Sequence, residues 1–369
     1  MNIWYVCDSV LPSQKANGVN IVKMCEAFSQ VGHNVTLILP SHVNNNDSIV
    51  DYYNIKHSFN VVYIPIKNRK GWLYLYGLKI YLLCKKNIYN IELVYSRFPF
   101  SLFLILRLKK NIIVELHGEI WKTGLLNNIA TRVLLKSKYL KKIVFISPEM
   151  KTIYENKFSN IFNKKTLLEH YYSAAEGFSV NNKFSLNGKY GINIGYVGSF
   201  NKGRGLELIF ELARVFSEFG FHLAGAPEKE LSNYEIDKYP NVHYYGHLSH
   251  TKTSEFRNSC DILLAPYQEE VRIPSGINTV AFMSPIKIFE YMASKKPMIV
   301  SDLKALRNVL DEKCAYLCSP TNINEWKDKI NFIISNQEEA QKVAINAFEK
   351  LINNYTWEIR AKKILQNIN

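Results

Sequence analysis

The amino-acid sequence predicts an α/β fold made of two doubly wound parallel-sheet domains, each similar to a Rossmann fold. Two observations carry this prediction. Short β-branched, apolar runs alternate with segments of helical periodicity from residue 2 to about residue 168, and the alternation resumes at residue 192. Between them, residues 172–190 lose the pattern and are rich in Ser, Asn, Gly and Lys, which is typical of an interdomain linker.

The first half of the chain begins with a predicted strand at 2–7, a loop that reaches Gly18, a helix that follows it, and a strand at 35–39. A strand, a glycine-containing loop, a helix and a second strand in this order begin a doubly wound domain. The alternation then predicts the other elements of this half, which are strands at 61–64, 93–95, 112–116, 143–146 and 166–168, and helices at 72–86, 99–109, 123–140 and from Ser147 onward.

The second half begins with a predicted strand at 192–198. Further elements are predicted as strands near 221–224, 242–245, 262–265, 298–300 and 315–317, with helices between them and at 323–335, 337–353 and after 356. Two parallel-sheet domains of similar size predict a central cleft, faced by the carboxyl ends of both sheets, in which ligands bind. We therefore divide the chain into domains at 1–175 and 190–355.

The chain carries a formal net charge of +14, and one region is especially basic. Residues 67–142 contain sixteen Lys or Arg residues but only three acidic ones, with Trp, Tyr and Phe residues interleaved. Such a surface suits anionic lipid headgroups or nucleic acid, although solvated helix faces alone would give the same pattern. The chain opens without a signal-peptide core, and no apolar stretch reaches bilayer length, so we expect a cytosolic protein.

A helix is predicted to begin at Ser284, with its hydroxyl as the N-cap and Pro285 in the first turn. Apolar residues recur from Ile286 at helical spacing, so that face is expected to pack inward. The backbone N–H groups at the helix start, with Lys287 beside them, form an anion site that suits a diphosphate. Glu290 interrupts the apolar row and needs a partner, which the hydroxyls of a ribose, a salt bridge or solvent would provide.

A glycine-rich loop with two cations, residues 198–205, follows the first strand of the second half and precedes a helix. Glycines permit close backbone approach to a ligand and Arg204 adds positive charge, so the loop suits a leaving diphosphate. Lys202 is predicted to face solvent, because Arg204 lies closer to the helix start. The loop matches neither the dinucleotide-binding fingerprint nor a P-loop.

His117 lies where a predicted strand of the first half ends. This position is the ligand-binding edge of a parallel sheet, although an isolated histidine is more often structural. The chain contains no Asp-x-Asp pair, and its six scattered cysteines indicate neither a zinc site nor a disulfide framework. We therefore expect no metal and no cofactor, with cations and a helix N-terminus stabilising the leaving diphosphate instead.

Taken together, these segments resemble the retaining GT-B glycosyltransferases of glycosyltransferase family 4, the glycosyl transferases of group 1, over essentially the whole chain. The matching segments are Asn17-Gly18, His117-Gly118, 145–150, Gly198 with Arg204-Gly205, 245–247, 260–263, 289–293 and 355–357. The last of these is similar to the family's tail, which implies that a helix at 356–369 crosses back to the first domain.

The resemblance implies a nucleotide-sugar donor in the second domain and an acceptor against the first. It implies that Glu290 binds the ribose diol, and that Arg204 with the helix start at 284–287 binds the diphosphate. Gly18 would let the first loop approach the donor phosphates, and His117 would line the reaction centre near the transferred sugar. The implied donor site further includes Gly198, Ser199 and His247. His117, Arg204 and Lys287 are the predicted catalytic residues, and same-face attack assisted by the leaving phosphate would require no protein nucleophile.

The sequence departs from the family's pattern at two positions. The family often has two glutamates separated by seven residues, and Phe282 stands where the first, sugar-contacting glutamate would be. Sugar recognition must therefore differ, and Glu269 and Glu270 are candidates to replace the missing glutamate. Ser199 stands where the family has an arginine shortly after the strand, which leaves Arg204 as the main cation of that loop, with Lys287 to supply the lost charge.

We therefore predict a retaining hexosyl- or N-acetylhexosaminyltransferase that moves a sugar from a nucleoside diphosphate, UDP favoured, to a lipid-linked acceptor. The product would be a bacterial cell-envelope glycan, such as a capsule or O-antigen, made at the inner face of the cytoplasmic membrane where the basic first domain binds anionic lipid. A nucleotide-sugar epimerase or an inverting GT-B transferase is an alternative. A nucleic-acid-binding protein is a more distant one, because the chain has no recognised module for that role.

Overall fold

The structure is a computed structural model that describes residues 1–368 except 42–47, 69–70, 178–181, 226, 228–229, 231–233 and 273–277. The chain divides into two compact units, which are described separately. Unit 1 contains residues 1–172 together with 357–369, and unit 2 contains residues 173–356. Among the described residues, no helix combines the length and the apolar character needed to span a bilayer.

Unit 1 is built on a seven-stranded sheet. Its strands are β1 (Asn2–Val6), β2 (Asn34–Ser41), β3 (Asn60–Pro65), β4 (Leu93–Ser96), β5 (Asn111–Leu116), β6 (Leu140–Phe145) and β7 (Leu167–His170). They lie in the order β3-β2-β1-β4-β5-β6-β7, and every neighbouring pair is parallel. The strand order reverses between β1 and β4, which is the position where doubly wound sheets bind ligands.

The helices of unit 1 complete the alternation. They are α1 (Ala16–Gln30), α2 (Ile49–Tyr53), α3 (Trp72–Lys86), α4 (Pro99–Ile105), α5 (Leu125–Lys136) and α6 (Pro148–Phe158), with short 3-10 turns at Ile88–Asn90, Leu106–Leu108 and Ile120–Thr123. The C-terminal helix of the chain, which is numbered α13 and spans Trp357–Leu365, also belongs to this unit and packs against α1. Strands β1 and β4 are almost fully buried, because helices cover both faces of a parallel sheet.

Unit 2 is built on a six-stranded parallel sheet. Its strands are β8 (Asn193–Val197), β9 (Gly220–Ala224), β10 (Val242–Tyr244), β11 (Ile262–Ala265), β12 (Met298–Ser301) and β13 (Tyr316–Cys318), in the order β10-β9-β8-β11-β12-β13. Its helices are α7 (Leu206–Val215), α8 (His250–Ser259), α9 (Ile286–Ala293), α10 (Lys304–Arg307), α11 (Ile323–Ser335) and α12 (Gln337–Asn354), with a 3-10 turn at Ile236–Lys238. The strand order reverses between β8 and β11.

Most predicted elements are confirmed, and the differences lie at their ends. The predicted basic helix at 123–140 is shorter, because a turn follows α5 and strand β6 already begins at Leu140. Helix α1 begins at Ala16, so the prediction that Gly18 precedes the helix is wrong. Helix α2 lacked a signal in the sequence, since five residues are too few to show helical periodicity.

Candidate functional site

The loops that follow three neighbouring strands of unit 2 each contain a glycine, and the backbones of these loops are hydrogen-bonded to one another. Gly198 follows β8, and its N–H donates a hydrogen bond of 2.9 Å to the carbonyl oxygen of Ala224 at the end of β9. Gly225 follows β9, and its N–H donates one of 2.8 Å to the carbonyl oxygen of Gly246, just after β10. The three loops are therefore tied together at the ligand-binding edge of this sheet.

The loop between β8 and α7 depends on two glycines for its course. Gly203 and Gly205 have φ angles of +87° and +79°, which residues with a side chain rarely adopt. A Cβ on Gly203 would lie 1.9 Å from the carbonyl oxygen of Glu270, and one on Gly205 would lie 1.9 Å from that of Pro266. The loop therefore packs directly on the backbone that follows β11, and this contact holds Arg204 in position.

Arg204 and Lys287 face tyrosine rings rather than carboxylates. The Lys287 ammonium lies 3.7 Å from the ring centroid of Tyr196 and 5.0 Å from that of Tyr267, and the Arg204 guanidinium lies 5.3 Å from the Tyr267 centroid. Among the described residues, no carboxylate oxygen lies within 4 Å of either cation, and the buried Nε of Arg204 has no hydrogen-bond partner. Burial and the adjacent Arg204 hold the pKa of Lys287 well below its ordinary value, against the opposing pull of Glu290.

Gly198 leaves the space that the Lys287 side chain occupies. A Cβ at Gly198 would lie 2.7 Å from the Lys287 Nζ, 2.9 Å from its Cε and 3.0 Å from the Tyr196 hydroxyl. Ser199 is half-buried, and its carbonyl oxygen accepts a 2.7 Å hydrogen bond from the Tyr196 hydroxyl. Lys202 is exposed, which confirms the prediction that it faces solvent.

The start of α9 differs from the prediction. The helix begins at Ile286, which is half-buried, with Pro285 as its N-cap residue and no described side chain capping it. The prediction that Ser284 caps the helix is therefore wrong. Its hydroxyl instead accepts a hydrogen bond of 2.8 Å from the Ser173 N–H, and its carbonyl oxygen accepts one of 2.5 Å from the Ser173 hydroxyl. Backbone N–H groups at this helix start still favour an anion.

Glu290 has an arginine and a histidine as neighbours within unit 2. Its Oε2 lies 3.5 Å from Nη1 of the buried Arg257, and its Oε1 lies 3.8 Å from Nδ1 of His250. The salt-bridge alternative for Glu290 is therefore present in the structure. No described residue donates a hydrogen bond to its carboxylate, which is 15% exposed, so its oxygens can still accept hydrogen bonds from the hydroxyl groups of a ligand.

Four other predicted donor residues lie on loops of unit 2. His247 is half-buried, and burial lowers its pKa despite an opposing hydrogen bond with the Gly225 backbone. Glu269 and Glu270 are exposed, and Glu270 forms a 3.1 Å ion pair with exposed Arg272. Phe282 is only 4% exposed, so its ring offers almost no surface to a ligand.

Gly18 in unit 1 is required by packing within the unit. It lies in the first turn of α1, and a Cβ there would come within 2.4 Å of the Tyr53 hydroxyl and 3.0 Å of Leu11 and Ser13. That hydroxyl accepts a hydrogen bond from the Ser13 N–H and donates one to the Ser13 carbonyl oxygen. The glycine therefore secures the loop after β1, whatever ligand that loop contacts.

His117 belongs to a buried ionic network at the carboxyl end of β5. Its Nε2 forms a short hydrogen bond with Glu115 Oε1, while Glu115 Oε2 accepts hydrogen bonds from Arg360 Nη1 at 3.0 Å and from the Tyr95 hydroxyl. The Arg97 Nε lies 4.0 Å from Glu115 Oε1. Burial, reinforced by Arg97, lowers the pKa of His117 to about 4, so the imidazole is neutral near pH 7.

Several residues of these two sites were missed in the sequence. Arg97 and Tyr267 closely follow strands β4 and β11, so the positional rule that selected His117 would also have selected them. Glu115 is a charge within an apolar strand, which is a recognisable signal for a buried pair. Arg257 and Arg360 carried no local signal, because their partners are distant in sequence.

The described residues contain no group of three His, Cys, Asp or Glu side chains that could hold a metal ion. The cationic and hydroxyl-accepting groups of unit 2 are instead of the kind that binds a phosphorylated ligand with a polar sugar.

Comparison with known proteins agrees with this chemistry in unit 2. Residues 191–336 match the family described as Glycosyl transferases group 1. A comparison with curated proteins found no match.

Known structures resemble the whole chain. Sucrose-phosphate synthase from Thermosynechococcus elongatus is 14% identical, with 98% of this chain and 97% of that chain covered and a TM-score of 0.70. Anabaena Alr3699/HepE in complex with UDP is 12% identical, with 100% and 99% covered and a TM-score of 0.70. The lipopolysaccharide outer core galactosyltransferase WaaB in its apo form is 16% identical, with 100% and 99% covered and a TM-score of 0.59.

These similarities show a GT-B fold composed of two Rossmann-like domains. The domain match over residues 191–336, added to that fold, supports a glycosyltransferase of the GT-B type.

Proposed function

We propose that the protein is a retaining glycosyltransferase of family 4 that uses a nucleoside diphosphate sugar, UDP favoured. The observation that carries this proposal is the pair Arg204 and Lys287, two cations placed on tyrosine rings with no carboxylate within 4 Å among the described residues. A diphosphate would supply the negative charge that the pair lacks. The UDP bound in the Anabaena structure supports uracil as the first base to test.

The proposed reaction breaks the bond between the sugar's anomeric carbon and the diphosphate oxygen, and forms a bond to an acceptor hydroxyl oxygen on the same face. The acceptor's proton passes to the leaving phosphate, so no protein nucleophile is required. Arg204, Lys287 and the start of α9 would stabilise the negative charge that develops on the diphosphate. Glu290 would accept hydrogen bonds from the ribose hydroxyls, and His117 would lie near the transferred sugar.

Thermal unfolding with UDP, GDP, ADP and CMP tests the donor site. A ligand that binds only the folded state stabilises it by about 2.7 kcal/mol at a hundredfold excess over its dissociation constant. We expect one nucleotide to raise the melting temperature, and Arg204→Ala to abolish most of that rise. Lys202→Ala is the matched control, because this exposed lysine lies on the same loop. No rise with any nucleotide would refute the donor site.

Glu290 is tested by Glu290→Gln, which keeps the shape of the side chain beside the buried Arg257. We expect weaker binding of the nucleoside diphosphate, because an amide is a weaker acceptor for the ribose hydroxyls than a carboxylate. The deoxyribose analogue that lacks the 2′-hydroxyl should lose less affinity on this substitution than the ribonucleotide. Equal losses would contradict the ribose role.

The stereochemical outcome separates the proposal from its enzymatic alternatives. NMR of the product of a UDP-sugar reaction reports the anomeric configuration directly. Retention is expected. Inversion would indicate an inverting GT-B transferase, and a donor converted to its epimer without transfer would indicate an epimerase.

We further propose that unit 1 binds an anionic membrane surface, where a lipid-linked acceptor would be located. Helices α3 and α5 both contact α4 and expose large apolar side chains, which are Tyr74, Leu75, Leu78 and Leu82 on α3 and Leu125, Leu126, Ile129 and Val133 on α5. Both helices carry Lys or Arg and contain no Asp or Glu. Exposed apolar side chains beside uncompensated positive charge favour anionic lipid over nucleic acid. Leucine side chains can insert among lipid chains, whereas non-specific binding to nucleic acid rests on contacts between cations and phosphates.

Co-sedimentation with vesicles tests this surface. We expect binding to vesicles that contain phosphatidylglycerol and much weaker binding to phosphatidylcholine alone. Leu78→Glu with Ile129→Glu should abolish the binding, whereas Val215→Glu, an exposed apolar residue of unit 2, should leave it intact. Binding that is insensitive to anionic lipid, or equal loss in both variants, would contradict the proposal. A membrane-bound glycosyltransferase of this kind would serve bacterial cell-envelope glycan synthesis, such as that of a capsule or an O-antigen.

A further inference from the structure

Glu115 is fully buried, and the proposed reaction gives it no direct role. Its two carboxylate oxygens have different partners. Oε2 accepts hydrogen bonds from Arg360 Nη1, at 3.0 Å, and from the Tyr95 hydroxyl, while Oε1 faces His117 Nε2. The carboxylate therefore connects a fixed cation on α13 to the imidazole at the ligand-binding end of β5.

The surroundings of Glu115 favour its ionised form. Burial alone would favour the protonated acid, but Arg360, His117 and Arg97 together outweigh it and hold the pKa of Glu115 well below its ordinary value. Arg360 is 3% exposed and is itself anchored by a 2.9 Å hydrogen bond from its Nε to the Tyr172 carbonyl oxygen. An ionised carboxylate can only accept hydrogen bonds. Its neighbour Nε2 must therefore carry the hydrogen.

We propose that Glu115 is a positioning residue that fixes His117 as the Nε2–H tautomer and thereby presents Nδ1 as a hydrogen-bond acceptor. The His117 side chain is 28% exposed, so a ligand can approach it. The group that Nδ1 recognises must be a donor of a hydrogen bond, and in a sugar that group is a hydroxyl or the N–H of an acetamido substituent. The ligand's identity rests on the proposed glycosyltransferase function, whereas the tautomer does not.

The tautomer is measured in the wild-type protein by long-range ¹H–¹⁵N correlation spectra of ¹⁵N-histidine-labelled protein. His117→Gln identifies the His117 signals. At pH 7 we expect a neutral ring with hydrogen on Nε2 and a lone pair on Nδ1. A ring with hydrogen on Nδ1, a charged ring, or rapid exchange between tautomers would overturn the inference without reference to any substrate.

Glu115→Gln tests the positioning role, because it should reverse the tautomer. Arg360 and the Tyr95 hydroxyl donate to the same oxygen, so the oxygen of the introduced amide stays with them and its NH₂ group turns toward His117. The imidazole then has to accept at Nε2 and carry its hydrogen on Nδ1. We expect kcat for sugar transfer or donor hydrolysis to fall by about 10–100-fold, with little change in UDP affinity. Unchanged kcat, or an unchanged tautomer, would refute the role.

Tyr95→Phe supplies a second variant in case Glu115→Gln fails to fold. It removes one hydrogen bond to the carboxylate but keeps its charge, so the Nε2–H tautomer should persist and kcat should change less than threefold. A reversed tautomer in this variant would show that Tyr95, rather than Glu115, determines the tautomer of His117. If UDP does not bind the wild-type protein at all, the proposed function fails while the tautomer result still stands.

Discussion

The two charged sites of this protein use cations in opposite ways. In unit 1, Arg97 and Arg360 flank a buried carboxylate, and each charge has a partner. In unit 2, Arg204 and Lys287 lie on tyrosine rings, and no described carboxylate comes within 4 Å of them. The cations of the first site face a buried carboxylate, whereas the nearest described partners of the second pair are tyrosine rings.

The difference shows how the same residue types serve two purposes. A buried ion pair that is also hydrogen-bonded holds geometry, and removing one partner leaves an uncompensated charge. Cations held close together without an anion raise the free energy of the empty protein and lower that of a complex with a polyanion. Unit 1 therefore has the properties of a positioning network, and unit 2 those of a binding site.

The largest expected effect is a loss of stability when the Glu115–Arg360 ion pair of unit 1 is removed. Glu115→Leu should lower the free energy of unfolding by about 3–5 kcal/mol, because it leaves the buried Arg360 unpaired. Urea denaturation measures the change. Adding Arg360→Met to the Glu115→Leu variant should recover part of the loss, and a double variant that is no more stable than the single one would show that packing, not charge, is responsible.

Lys287→Met should weaken ligand binding without lowering stability, in contrast to Glu115→Leu. We expect UDP affinity to fall by about 10–100-fold, which corresponds to a charge-assisted hydrogen bond, while the free energy of unfolding without ligand stays equal or rises. Calorimetric titration and urea denaturation of the same variant provide both values. A variant that loses stability but binds UDP normally would assign Lys287 to structure rather than to the ligand.

Acidification should destabilise both units, through one histidine in each whose pKa lies below its ordinary value. Burial lowers the pKa of His117, in unit 1, and of His222, in unit 2, to about 4. The unfolded chain, with a histidine pKa near 6.5, binds protons first, so stability is lost as the pH falls from about 6.5 to about 4. Each histidine should contribute roughly 1–2 kcal/mol of this loss by pH 5. His222→Gln or His117→Gln should each reduce the slope of unfolding free energy against pH, and an unchanged slope in both would contradict the buried, neutral state.

The smallest effect concerns Gly198. Gly198→Ala places a methyl group 2.7 Å from the Lys287 Nζ, and the flexible lysine side chain can move away at little cost. We expect UDP affinity to fall about threefold to tenfold, since the displaced ammonium no longer faces the diphosphate in the same place. Because φ of Gly198 is +157°, the alanine should also lower the free energy of unfolding by about 1 kcal/mol. Gly32→Ala is the control for backbone strain, because Gly32 also has a positive φ and a Cβ there would meet no atom within 4 Å. Equal affinities in Gly198→Ala and wild type would show that the position of Lys287 is not critical.

Some elements and residues were predicted correctly from the sequence, and others were not. The alternation of apolar runs located helix α3 to the residue and nearly every strand, because buried parallel strands and amphipathic helices leave periodic patterns. The predicted elements also led to three candidate residues, because His117 follows a strand, Arg204 lies in a glycine-rich loop after a strand and Lys287 lies at a helix start. The sequence pattern assigned Ser284 to a cap that the structure does not contain, since the hydroxyl is used by Ser173, a residue 111 positions away in the chain.

The sequence by itself determined the two parallel sheets and the loops at their carboxyl edges, because local periodicity and glycine placement act over a few residues. The tertiary structure alone decided which charges are neutralised. Glu115 meets Arg360 across 245 positions, and the Arg204 loop packs on the backbone after β11, and neither contact leaves a local pattern. Electrostatic pairing depends on distances in space, and that is why only the folded chain distinguishes cations that face a buried carboxylate from cations with no described carboxylate within 4 Å.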